Sequence, residues 1–436
     1  MTQFTAEFCS ENKMLVLDKT DDLIKIGVSE SKPDEVLRSR IENILTGSGS
    51  TPKVQFISMR EPELMLAISA LESVASNNGT EKKEYEISTI EKGAPAITVL
   101  NSILLDAKSR GASDVHLEKD REGVRVRLRI DGVLHTFHRF DSMMGNSLAV
   151  RIKLMANLNT LETRKPQDGR FSITAGGADH DIRVSIVSSV NGESTVLRFL
   201  DTGNTDITLE GLGFSPFIFR RLSSLSARPQ GLILVTGPTG SGKTTTLASL
   251  IRRCDTEKRK VISIEDPVEY RIPGIIQIQT NENLGLGFSV LLKRILRQDP
   301  DVLMIGEIRD GETAELSVRA ALTGALVLAT LHTRSAREAE TRLLDMGVPS
   351  YLLDTVLYAV LNQRLVRRTC AACRGAGCER CAHSGYSGRQ PVAEMHIPGM
   401  KDAALSGRTL QMEGLSLIKE GLTDKTEIER VLGESA

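Results

Sequence analysis

Tryptophan is missing from this 436-residue chain, and aromatic residues together make up only 4% of it. A groove that grips single-stranded nucleic acid by stacking bases on rings is hard to build from so few. Neither sign of charge dominates: 55 Lys and Arg stand against 56 Asp and Glu, a formal net charge of −1. No bulk basicity draws the chain onto nucleic acid or an anionic bilayer. Long apolar runs are lacking too, since LILV (232–235) and ALVLATL (325–331) fall far short of the ~20 residues that span a membrane. The opening MTQFTAEFCSENK shows no basic stretch followed by an apolar core, so no secretory signal is expected. Cysteines number six, four of them between positions 370 and 381, which is not the pattern of a secreted disulfide framework. The expectation is a soluble, cytoplasmic protein of roughly three folding units at ~150 residues each, large enough to bury its own cores.

Residues 1–90 read as a short N-terminal α/β unit plus linker. Pro33 opens a helical pattern that stops at Gly47, and a second runs from Pro62 to Gly79. The charged stretch 80–93 is read as the linker. Over 94–201 the pattern is α+β: a helix from Pro95 to about Gly111, then Val124, Val126, Leu128 and Ile130 alternating with Arg125, Arg127, Arg129 and Asp131. Asp131-Gly132 signals a tight turn before the next strand. From 214 to 369 strands and helices alternate. LILV, VISI (261–264), VLMI (302–305) and LVLATL (326–331) are unbroken apolar runs, as in parallel strands buried on both faces. A doubly wound core with ligands at the strand C-termini is expected. The Cys- and Gly-rich segment 370–388 interrupts it, and 391–436 form a helical tail.

Gly237-Pro238-Thr239-Gly240-Ser241-Gly242-Lys243-Thr244-Thr245 follows the first of these strands and leads into a helical run. It matches G-x-x-x-x-G-K-[ST]. Glycine permits the backbone turns that point successive N–H groups at a phosphate, and a helix N-terminus adds its positive end. Lys243 is expected to reach the β- and γ-phosphates of ATP, and the Thr244 hydroxyl to take a place on Mg²⁺.

Each following strand ends in a residue of matching chemistry. The second closes in Glu265-Asp266-Pro267-Val268-Glu269, carboxylates suited to polarising a water or holding the metal; the bland alternative is a solvated acidic loop. The third closes in Gly306-Glu307, where Glu307 takes the part of the Walker B acid, or else caps the next turn. His332 at the tip of the fourth either senses the γ-phosphate or is an ordinary structural histidine.

Cys370-x-x-Cys373 and Cys378-x-x-Cys381 are two knuckles separated by four residues. Four thiolates so disposed close a tetrahedron on Zn²⁺, and no position remains open for catalysis. An iron–sulfur cluster is the alternative.

Taken together, GPTGSGKTTT, SIEDPVEY, LRQDPDVLMIGEIRD and ATLHT resemble the ATPases of type II secretion and type IV pilus assembly. The likeness continues upstream in GASDVHLE (111–118), RLRIDG (127–132), PQDGR (166–170) and Gly192-Glu193. It implies a PAS-like α+β domain joined to a RecA-like P-loop ATPase core, assembled as a homo-hexamer. It also implies that Glu269 is the catalytic base, with Glu265 second, and that His332 belongs to the family's His box. By the same likeness Arg127, Arg129 and Arg170 approach the triphosphate; a solvated strand face is the plain alternative for the first two. Tetracysteine segments resemble assembly rather than retraction members. The implied partners are an inner-membrane platform protein and, through it, pilin-like subunits, with the chain only peripherally at the membrane and no nucleic acid expected. A nucleic-acid translocase with the same core is the competing reading. Ala325 stands where the family often has histidine.

Overall fold

In the computed structural model the period-two run 124–130 is a strand whose Val124, Val126 and Leu128 are buried while the arginines between them are half-buried. The structure describes residues 14–19, 23–29, 53–59, 84–86, 95–175, 178–200, 207–399 and 408–433. They fall into two compact units: Met1–Glu84 with Lys153–Thr160, and Tyr85–Ile152 with Leu161–Ala436. In the first unit β1 (Met14–Lys19) pairs antiparallel with β2 (Leu23–Ser29), which pairs parallel with β3 (Lys53–Met59). Met14, Ile24, Ile26 and Val28 form its core. The helices expected at 33–47 and 62–79 lie outside the described residues.

The second unit carries two seven-stranded sheets. The stretch read as a linker contributes a three-residue strand, β4 (Glu84–Glu86), on the edge of the first sheet. The rest of that sheet is β5 (Ala112–Lys119), β6 (Val124–Ile130), β7 (Val133–Phe140), β8 (Gln167–Ala175), β9 (Ala178–Ser189) and β10 (Gly192–Leu200), in the order β4-β8-β9-β10-β5-β6-β7. Helix α1 (Pro95–Ser109) buries Leu100, Ile103, Leu104 and Ala107, the i, i+3, i+4, i+7 stripe of an amphipathic helix. Helix α2 spans Ser142–Met155. Asp131 and Gly132 turn β6 into β7 with φ of 48° and 84°, both positive, as a type I′ turn demands.

The other sheet comprises β11 (Gly231–Thr236), β12 (Val261–Glu265), β13 (Ile276–Gln279), β14 (Val302–Ile305), β15 (Leu326–Leu331), β16 (Leu357–Thr369) and β17 (Tyr386–His396), ordered β13-β12-β14-β15-β11-β16-β17. All pairs are parallel except β16 with β17. Every residue of β11, β12, β14 and β15 is buried, which is why these strands are unbroken apolar runs. Helices α3 (Pro216–Ser226), α4 (Lys243–Ile251), α5 (Phe288–Ile295), α6 (Gly311–Leu322), α7 (Glu338–Asp345) and α8 (Ser350–Val356) supply the other half of the two apolar cores. Because the strands run in parallel, the residues that follow β11, β12, β14 and β15 emerge at one edge. Helices α9 (Leu410–Lys419) and α10 (Lys425–Leu432) close over Val366 and Val392. No helix among the described residues is long and apolar enough to cross a membrane.

Candidate nucleotide site and cysteine cluster

The loop between β11 and α4 is shaped by its glycines. A Cβ on Gly237 would lie 2.4 Å from the Gln363 carbonyl oxygen, and Gly242 caps α4 with a φ of 84° that side chains avoid. Pro238, Thr239 and Gly240 form an exposed tip, whereas Ser241 is buried beneath it. Lys243 Nζ donates to the carbonyls of Gly237 and Pro238, each at 3.0 Å. Burial draws the Lys243 ammonium below its ordinary pKa, and the nearby Glu307 and Glu269 carboxylates pull it back up. Thr244 hydrogen-bonds the Glu269 carboxylate, and the Thr245 hydroxyl lies 3.1 Å from Tyr270 Oη.

The two acids of the 265–269 segment are in different states. Glu265 is buried at the end of β12, where Oε1 accepts from Ser263 Oγ at 2.6 Å and from Gln277 Nε2 at 3.0 Å. Glu269 keeps an exposed surface and faces Thr244 and Lys243. Crowding by protein, seconded by the charge of Glu265, lifts its pKa above the ordinary carboxylate range. An exposed, more basic carboxylate is better suited to take a proton than a buried one already committed to two donors. Glu307 follows β14 and sits between two partners: Oε1 is 3.1 Å from His332 Nε2, and Oε2 accepts from Arg309 Nε at 2.8 Å. His332 also meets the backbone of Gly237, and burial holds its pKa below the usual value. The fold thus gathers Lys243, Thr244, Glu269, Glu307 and His332 around the phosphate loop. A cavity of about 530 Å³ opens beside Gly237, Pro238 and His332, with Arg334, Arg342 and Arg364 on its wall.

The three arginines expected at the triphosphate lie on the first sheet, on β6 and β8. Arg127 is ion-paired with Glu118, and Arg129 donates to the Gly132 carbonyl at 3.1 Å and lies 3.6 Å from Asp114, all within one sheet. Arg170 is exposed on β8 opposite Arg183. Among the described residues no hydrogen bond or ion pair joins any of the three to the phosphate loop. Arg198 on β10 is an arginine of that sheet whose charge reaches Glu269. Its Nε is fixed 2.7 Å from Oδ1 of the buried Asp114.

The four cysteine thiols of the segment between β16 and β17 lie within 4.8 Å of one another. Separations of 4.0 Å (Cys370–Cys378), 3.8 Å (Cys373–Cys381) and 3.7 Å (Cys378–Cys381) are those of a small tetrahedron. Four sulfurs at ~2.3 Å from a tetrahedral zinc stand about 3.8 Å apart, so the donor set fits Zn²⁺. Backbone N–H groups of Gly377 and Cys378 point at Cys373 Sγ and Cys381 Sγ from 3.2 Å, as donors to thiolate do.

Residues 89–427 match the family described as type II/IV secretion system protein. The chain belongs to that family. Type II secretion system protein HxcR of Pseudomonas aeruginosa is 43% identical over 366 residues, covering 78% of each chain. Type IV pilus assembly ATPase PilB of Thermus thermophilus is 39% identical over 373 residues, 76% of this chain and 42% of that longer one. Among solved structures the pilus retraction motor PilT with bound ADP aligns at a TM-score of 0.53 and 29% identity, over 76% of this chain and 96% of PilT.

For this secretion-system family member, sequence reasoning passed over two sets of site residues. Arg198 carries no motif of its own, and its partner Asp114 is 84 positions away. Asn362, Gln363 and Arg364 form the other set, polar residues in a strand that runs beside β11.

Proposed function

We propose that this chain is a cytoplasmic, homo-hexameric motor ATPase that drives assembly of a type IV pilus or a type II secretion pseudopilus. As an ATP-hydrolysing enzyme it keeps company with relatives of both machines. The observation that carries the reading is the convergence of Lys243, Thr244, Glu269, Glu307 and His332 at one edge of a parallel sheet. In it the backbone N–H groups from Thr239 to Lys243 and the Lys243 ammonium cradle the phosphates. Glu269 takes the proton of the attacking water, and His332, paired with Glu307, faces the phosphate that leaves. Thr244 and Glu307 would hold Mg²⁺, which supplies charge neutralisation at the β- and γ-oxygens. We assign 94–201 to the domain that closes on the motor core 214–369, and 370–388 to a structural zinc site held by Cys370, Cys373, Cys378 and Cys381, ahead of the 391–436 tail. The ring acts on pilin-like subunits through a platform protein of the inner membrane. The balanced charge and the scarcity of aromatic residues disfavour the nucleic-acid translocase.

Phosphate release by the purified protein with Mg·ATP tests the core of this reading. Lys243→Ala should abolish turnover, and Glu269→Gln should abolish it while still binding ATP; normal hydrolysis by Glu269→Gln would remove Glu269 as the base. Elemental analysis of protein prepared without chelator should return one zinc per chain. Co-purification from membranes should recover the platform protein, and salt-sensitive stimulation by DNA instead would favour the translocase.

A further inference from the structure

Strand β16 is not one of the strands that end in an acid or the histidine, yet it lies next to β11 with Asn362 level with Thr236, the last residue before the phosphate loop. Side chains along a strand point alternately to its two faces. Gln363 faces one way: its Nε2 donates to the Ser241 carbonyl at 2.6 Å and its Oε1 accepts from Thr246 Oγ1 at 2.9 Å. One amide therefore grips both the underside of the loop and the first turn of α4. The Gln363 carbonyl occupies the space that a Cβ of Gly237 would need. Asn362 and Arg364 face the other way. Asn362 Nδ2 donates to Thr236 Oγ1 at 2.8 Å and to the Thr333 carbonyl at 3.2 Å. Arg364 donates through Nη2 to the Arg334 carbonyl at 2.8 Å and through Nη1 to Asn362 Oδ1 at 2.9 Å. Thr333 and Arg334 are the two residues that follow His332.

Both amides are essentially sealed from solvent, Asn362 at 0% and Gln363 at 1% exposure. Buried amides of this kind are costly unless every polar atom is engaged, and an apolar strand would pack here at less cost. Their partners are gathered at the phosphate loop, at the ends of β11 and α4 that flank it, and at the loop after His332.

We propose that Asn362, Gln363 and Arg364 are positioning residues of the ATPase centre: β16 holds the phosphate loop through one face and the His332 loop through the other. The registration of Lys243 against His332 is then set by a single strand, whose far end runs directly into Cys370. Asn362 and Gln363, sealed from solvent, act through the loops they hold, and Arg364 does so from the wall of the cavity beside Gly237.

The inference rests on the reading of the site as an ATPase centre, and binding and turnover by the unaltered protein, measured in parallel, judge that reading separately. Gln363→Glu keeps the shape but sets a carboxylate against the Ser241 carbonyl, so ATP affinity should weaken by about tenfold or more with kcat at saturation within about threefold. Asn362→Ala should do the reverse, lowering kcat by about tenfold with affinity within about threefold. In a cycle, Asn362→Ala added to His332→Ala should cost less than about twofold more, since Asn362 works through that histidine. Amide exchange supplies a readout independent of turnover: protection should fall at 237–246 in Gln363→Glu and at 331–336 in Asn362→Ala. If the alanine chain does not fold, Asn362→Asp, which keeps an acceptor for Arg364, replaces it with the same expectations. Equal losses of affinity and kcat in both variants, full additivity with His332→Ala, or exchange that rises uniformly over the sheet would each overturn the proposal and leave β16 an ordinary structural strand.

Discussion

His332 Nε2 stands 3.1 Å from Oε1 of Glu307, while the other oxygen of the same carboxylate accepts a hydrogen bond from Arg309 Nε at 2.8 Å. One acid at the end of β14 therefore orients both the histidine at the end of β15 and an arginine of its own loop. Burial and the Lys243 charge hold His332 below its ordinary pKa, so the ring is neutral near pH 7 and has one nitrogen to donate and one to accept. Glu307→Gln keeps the volume and loses the charge. It should lower kcat by roughly a hundredfold, the scale of a preorganised electrostatic contact. Phosphate release in steady state decides this, and a loss under about threefold would mark the pair as merely structural.

The rate should depend on pH through Glu269. A base works deprotonated, and crowding with the Glu265 charge raises this carboxyl above the ordinary range. Activity should therefore rise with pH along an acid limb that lies higher than an unperturbed glutamate would give. Replacing Glu265 by Gln removes the like charge and should slide that limb toward lower pH. A pH–kcat/KM profile of the two proteins checks the sign; an unmoved limb would dissociate Glu265 from the base.

Arg198 acts on the same limb in the opposite sense, since its charge lowers the pKa of Glu269. Its side chain is 60% exposed, so the effect is screened and should be modest. Arg198→Ala should lower kcat a few-fold and move the acid limb to higher pH. Asp114→Asn should reproduce the shift, because the buried Asp114 carboxylate is what fixes the guanidinium. Opposite displacement of the limb in either variant would separate Arg198 from catalysis.

Much of this was visible in the sequence for one reason: the phosphate loop, the acids after β12 and β14, His332 and the cysteine knuckles are each set by consecutive residues. A loop that must present bare amides needs glycine within a few positions, and a strand buried on both faces must be apolar throughout. The arginines were harder. Alternation placed Arg127 and Arg129 on one face of β6, but which arginine a neighbouring strand's Glu118 or Asp114 will engage depends on register, as the pairing of His116 with Arg127 shows. Glu269 and Glu265 could not be ranked from spacing alone; what separates them is Gln277 on β13, which engages Glu265 from the next strand. Asn362 and Gln363 left no signal, since a polar pair within a strand looks the same whether it grips a loop or faces water.

Acid should undo the tail. Glu427 on α10 is 0% exposed and bonded to Arg367 and Arg430 at 2.5–2.9 Å. Burial by itself would raise its pKa, but the two guanidiniums outweigh burial and bring it down to about 2. A carboxylate lowered on folding adds stability that is complete above its unfolded pKa near 4.5 and is lost as pH falls toward the folded value of about 2. The amount is about 3 kcal/mol. Glu427→Gln should lower the melting temperature at pH 7 and flatten its fall below pH 4.5, as scanning calorimetry across pH would record. A variant as stable as the parent at neutral pH would refute the argument.

Asp131 has one more consequence. Its carboxylate accepts from the Gly388 backbone N–H at 2.8 Å and lies 3.7 Å from Arg389 Nε, just where the chain leaves the cysteine loop to begin pairing as β17. A two-residue turn has no slack, so this rivet ties the tip of the β6–β7 hairpin to the base of the sulfur knot without any flexible spacer. Whatever tilts that hairpin must either shear the rivet or tug on the strand behind the cysteines, which makes the knot a fulcrum rather than an ornament.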